Sequence, residues 1–83
     1  MSANAPKRTD DEIVNLLSQW LMRSVGNDEL RTRIEEIGTT GLAPGQRLAV
    51  EELLVALGHA LPGERGSLER IVREAVESLA YGD

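Results

Sequence analysis

Apolar residues recur at helical spacing in four blocks, separated by glycine, proline and small polar residues. In the first block Ile13, Leu16, Leu17, Trp20, Leu21 and Val25 fall at i, i+3, i+4, i+7, i+8 and i+12, the period of one helix face. Thr9-Asp10-Asp11-Glu12 precedes it with the spacing of a capping box, in which a threonine hydroxyl and a glutamate each satisfy one free backbone amide. With Gly26 as a left-handed stop, a helix is predicted over about 10–25. Asn27 is the expected cap of a shorter helix, with Asp28 and Glu29 in its first turn and Leu30, Ile34 and Ile37 on one face before Gly38. So short a helix must lean on its neighbours to persist.

Residues 39–45 carry glycines, threonines and a proline and are expected to form a loop. Pro44 suits a first helical turn, where a missing amide costs nothing, and Leu42 is placed to pack back on Leu48 as a staple. The third helix is predicted to reach about residue 60, with Leu48, Ala49, Val50, Leu53, Leu54, Val55, Ala56, Leu57, Ala60 and Leu61 as its apolar set. Only Arg47, Glu51, Glu52 and His59 are left as a polar strip. That apolar arc is wider than one core face needs, so the helix is expected either to occupy the centre of the bundle or to cover a partner. After a turn at 62–66, Ser67 is the expected cap of a fourth helix. Its stripe is Leu68, Ile71, Val72, Ala75, Val76, Leu79 and Ala80, and its outer face offers the pairs Glu69–Arg73, Arg70–Glu74 and Arg73–Glu77. The fold class is therefore all-α: a small four-helix bundle-like single domain over 9–83 with a short second helix and the third helix at its centre, after a disordered tail at 1–8.

Length narrows the picture to one small core. A chain of 83 residues buries only about 60% of the surface its unfolded form exposes, which makes a docked partner or a dimer plausible. Cysteine is absent, which removes disulfides and thiolate chemistry and fits a reducing compartment. No membrane span or signal-peptide pattern is seen, so a cytoplasmic location is expected. The net charge of −5 repels nucleic-acid phosphates, and the arginines are interspersed with acidic residues. A nucleic-acid regulator using Arg31, Arg33 and the basic tail is the remaining exception.

Catalytic and metal chemistry find little support. His59 is the single histidine, too few for a histidine-rich zinc site and without a nucleophile beside it; it is read as a structural residue. Glu35-Glu36, Glu51-Glu52 and Asp10-Asp11-Glu12 are adjacent carboxylates that diverge by about 100° on a helix and so do not share a ligand. The Glu-x-x-His pairs of a bundle di-metal site are absent. The glycines around Thr39 and Thr40 lack the lysine of a phosphate loop and follow a helix. No catalytic residue, metal or cofactor is expected, and a small-molecule ligand is left unspecified.

One resemblance covers most of the chain through its helical residues. Glu12-Ile13-Val14 through Trp20-Leu21, then Glu35-Glu36-Ile37-Gly38-Thr39-Thr40-Gly41-Leu42, then Ala49-Val50-Glu51-Glu52-Leu53-Leu54 and Leu61-Pro62 resemble an acyl or peptidyl carrier protein. That family opens its second long helix with Gly-x-Asp-Ser-Leu, whose serine carries phosphopantetheine. Here the Asp and Ser slots fall on Thr40 and Gly41, so the resemblance implies a carrier fold without the attachment residue. The reading that the residues favour is a non-enzymatic interaction module, an accessory, adaptor or regulatory protein that docks a protein partner or dimerises through an apolar helix surface. Val14, Met22 and Val55 lie off the main stripes and are the candidate surface.

Overall fold

A computed structural model describes residues 8–60 and 63–82. Residues 1–7 of the tail expected at 1–8, with Leu61, Pro62 and Asp83, lie outside the described residues; Arg8 is described, preceding α1 and pairing with Asp10 at 3.2 Å. Among those described there are four helices and no strand: α1 (Thr9–Leu21), α2 (Asn27–Ile37), α3 (Pro44–His59) and α4 (Arg65–Tyr81). The all-α bundle-like class is therefore observed, with α2 the shortest helix.

The helices pack in a ring. α1 lies against α2, α2 against α3, α3 against α4, and α4 closes on α1. Consecutive helices alternate in direction: Thr9 at the start of α1 meets Gly41 after α2, and Gln46 near the start of α3 bonds to Leu79 near the end of α4. This corrects the expectation that the third helix is central. α3 is one corner of the ring, and its contact with α4 is the broadest in the fold.

Each helix turns one stripe inward. Ile13, Leu16, Leu17 and Trp20 come from α1, Leu30 and Ile34 from α2, Val50, Leu53 and Leu57 from α3, and Leu68, Val72, Ala75 and Leu79 from α4. Val25 and Leu42 enter the same core from the connectors. Fully burying one such aliphatic side chain contributes about 1.5–3 kcal/mol, so these stripes dominate the stability of a chain this short.

The helix ends differ from the sequence reading, and at α1 and α2 the side chains placed to cap locally are used elsewhere. α1 begins with Thr9 inside its first turn, the Glu12 amide donating to the Arg8 carbonyl at 3.0 Å, and Thr9 Oγ1 packs toward Gly41 instead of capping. Asn27 is the first residue of α2, not its cap, because its Oδ1 accepts the indole N–H of Trp20. α4 starts at Arg65, which leaves Ser67 inside the helix. Leu42 is buried but Leu48 is 58% exposed, so Leu48 lies outside the core. Of the pairs expected on α4, Glu69–Arg73 is replaced by Arg65–Glu69 at 3.2 Å, and Arg70–Glu74 and Arg73–Glu77 are not among the ion pairs of the described residues.

α1 also ends earlier than predicted. Gly26 has an extended backbone with φ −84°; the left-handed residue is Arg23, with φ 66°. The Arg23 amide donates to the Trp20 carbonyl at 3.0 Å and the Ser24 amide to the Gln19 carbonyl at 2.9 Å, the two bonds of a Schellman turn. Glycine is the usual occupant of that position, and a non-glycine residue there costs about 1–2 kcal/mol. Arg23→Gly is therefore expected to stabilise the fold by about 0.5–1 kcal/mol, the relief of strain exceeding glycine's extra unfolded-state entropy. Chemical denaturation of both proteins checks this; a destabilised variant would show that Arg23 has a role beyond the turn.

Gly38 closes α2 with φ 80° and ψ 175°, a region open essentially to glycine alone. Gly38→Ala is expected to cost about 1–3 kcal/mol. Gly26→Ala, at ordinary φ with nothing within 4 Å of the added methyl, is expected to be nearly neutral. Equal losses in the two variants would contradict this account of the connectors.

Candidate functional site

Exposed apolar side chains, not polar clusters, mark the candidate surface. Val14 is half-buried and packs against the core, which removes it from the exposed set. Met22 is 76% exposed and Val55 61% exposed. The structure does not bring these residues together: Val14 and Met22 belong to α1 and its C-terminal turn, Val55 to α3, and α1 and α3 occupy opposite corners of the ring.

Val55 has company of a different kind. The inward stripe of α3 is Gln46, Val50, Leu53 and Leu57. At about 100° per residue, Leu48 and Val55 point to the opposite side of the helix, and both are exposed. Glu51 and Glu52 lie between them, also exposed. Beside Val55 an open groove of about 380 Å³ runs between α2 and α3, lined by Arg31, Glu35, Leu54, Val55, Gly58 and His59. Gly58 adds no side chain to its wall, and the Arg31 guanidinium lies 3.7 Å from where a methyl group would sit. Of the wide apolar arc of α3, Ala49, Leu54 and Ala56 pack against the core and Leu48 and Val55 point to solvent. Its seven-residue repeat, Leu48 to Val55, was present in the sequence but hidden by counting Leu48 with the core.

The polar features are structural in geometry. Trp20 is fully buried; its Nε1 donates to Asn27 Oδ1 at 2.7 Å, and the Arg65 guanidinium lies 4.0 Å above its ring. Arg65 Nη2 donates to the Trp20 carbonyl at 2.8 Å while Nε donates to Glu69. One cation therefore satisfies the carbonyl end of α1, where the helix dipole favours positive charge, and ties it to the start of α4. Sequence reading missed this role, because residues 62–66 look like a plain turn and the bond spans 45 positions.

Gln46 makes a comparable link at the other end. Its Oε1 accepts the Ala43 amide at 2.9 Å, the return half of a capping box, since alanine has no acceptor to offer for the other half. Its Nε2 donates to the Leu79 carbonyl at 3.0 Å.

His59 is exposed at the rim of the α2–α3 groove. Arg31 and Arg33 are each engaged along α2, with Glu35 at 3.4 Å and Glu29 at 3.3 Å. At Gly41 an added Cβ would sit 2.7 Å from Thr9 Oγ1, so the slot corresponding to the carrier serine packs closely against the start of α1. No described helix is long and apolar enough to cross a membrane. No protein-family model, no curated protein and no solved structure matches the chain.

Proposed function

We propose that this protein is a non-catalytic cytoplasmic interaction module that engages a protein through the outward face of α3. The observation that carries the reading is the exposure of Leu48 and Val55 on the side of α3 opposite its buried stripe. Single exposed apolar residues are ordinary on protein surfaces. Two of them one heptad apart on a helix face, beside a groove, have the spacing with which a helix meets a partner. A domain of this size also gains stability from a docked partner, because its own core is small.

The test is Val55→Asp in the full chain. Because the side chain is exposed, the substitution is expected to alter stability by less than about 0.5 kcal/mol. It is expected to abolish association, read as loss of a co-purifying protein from native cells and loss of any self-association in sedimentation. A strict monomer from which Val55→Asp removes nothing would contradict the reading.

A further inference from the structure

We infer that the occupant of the α3 face is a basic amphipathic helix of another protein, with its apolar side chains against Leu48 and Val55. The inference rests on the interaction reading above and adds the chemistry of the partner. Leu48 and Val55 are separated by seven residues, about 10.5 Å along the axis, which matches two successive anchors of a helix lying along α3. The groove beside Val55 is walled by Leu54 and Gly58 on α3 and by the Arg31–Glu35 pair and His59 elsewhere, so it suits the polar flank of such a helix beside its second anchor.

Charge selects among occupants. Glu51 and Glu52 lie between the anchors, exposed and without an ion pair among the described residues. Glu35 at the groove is held by Arg31 on its own helix, and Arg47 and His59 flank the face at its two ends. A second copy packed antiparallel, α3 on α3, would place Leu48 opposite Val55 but would also set Glu51 and Glu52 against their counterparts. Both chains would carry a net charge of −5. Like charges meeting at an interface oppose that pairing. A helix with lysine or arginine flanking its apolar stripe supplies the missing counter-charges and contacts the same two anchors.

The experiment uses the full chain and a synthetic amphipathic helix of leucine and lysine, about four turns long, with a control in which glutamate replaces lysine. Amide shift changes on adding the basic peptide are expected to centre on Leu48, Glu51, Glu52, Val55 and Gly58. Glu51→Gln with Glu52→Gln is expected to weaken binding about tenfold. Glu74→Gln with Glu77→Gln removes the same charge from the exposed face of α4 and is expected to leave binding unchanged. Equal weakening by both pairs, or shifts spread over every acidic face, would reduce the effect to net charge and overturn the inference. Self-association that Val55→Asp abolishes, without peptide binding, would overturn it while leaving the interaction reading intact. Absence of both peptide binding and any association through Val55 would overturn both.

Discussion

Replacing Trp20 with alanine is expected to remove about 3–5 kcal/mol of stability. A chain of this length has about 4–12 kcal/mol in all, and the loss corresponds to a fall in Tm of about 15–30 °C. Trp20 is fully buried at the junction of α1, α2 and α4. Its removal leaves a cavity, takes the ring from beneath Arg65 and releases Asn27. Trp20→Phe separates these effects: an aromatic ring remains, the bond to Asn27 is lost, and Asn27 is exposed enough to turn to water. It is expected to cost about 1–2 kcal/mol. Far-ultraviolet circular dichroism in a denaturant titration reads both variants without relying on tryptophan fluorescence. A Trp20→Ala protein within 1 kcal/mol of wild type, on the same mutational scale of about 3–5 kcal/mol, would contradict the placement of this residue.

Gln46→Leu is expected to cost about 2–4 kcal/mol, although it puts an apolar side chain of similar size into a position only 4% exposed. The wild-type amide serves two backbone groups, the Ala43 N–H and the Leu79 carbonyl. Leucine serves neither, and an orphaned backbone group in a buried site costs more than the added hydrophobic contact returns. Gln46→Glu retains an acceptor for Ala43 but has no donor for Leu79 and places a carboxylate in the core, so it is expected to be at least as damaging. Hydrogen exchange adds a local readout: faster exchange at the C-terminal end of α4 in either variant. A Gln46→Leu protein more stable than wild type would show that these two bonds contribute little.

These residues show where the sequence was legible. The apolar stripes around Leu16, Leu53 and Val72 announce their helices because the 3.6-residue period is a local property, and each helix was found. Termini were less legible because a cap competes with tertiary demands. Thr9, Asn27 and Ser67 all have good capping chemistry, yet Thr9 faces Gly41, Asn27 serves a buried indole, and Ser67 lies past the true start of α4. Arg23 takes a left-handed conformation two residues into the connector, where Gly26 looked the natural place for it. Gln46 and Arg65 act across 33 and 45 positions, and no local spacing rule reports such contacts.

The candidate surface was legible in part. The excess apolar width of α3 was visible as a count of residues. Its consequence required the ring: a central helix would bury that width, whereas a corner helix leaves Leu48 and Val55 in solvent. Val14 looked equally free in the sequence but is half-buried against the core.

The central claim is that a protein partner covers the outward face of α3, and site-specific photocrosslinking in living cells tests it most directly. A photoreactive residue in place of Val55 is expected to yield a discrete protein adduct, and the same residue in place of Glu77, exposed on α4, is expected to yield none. No adduct at position 55, or the same adducts from both positions, would contradict the claim.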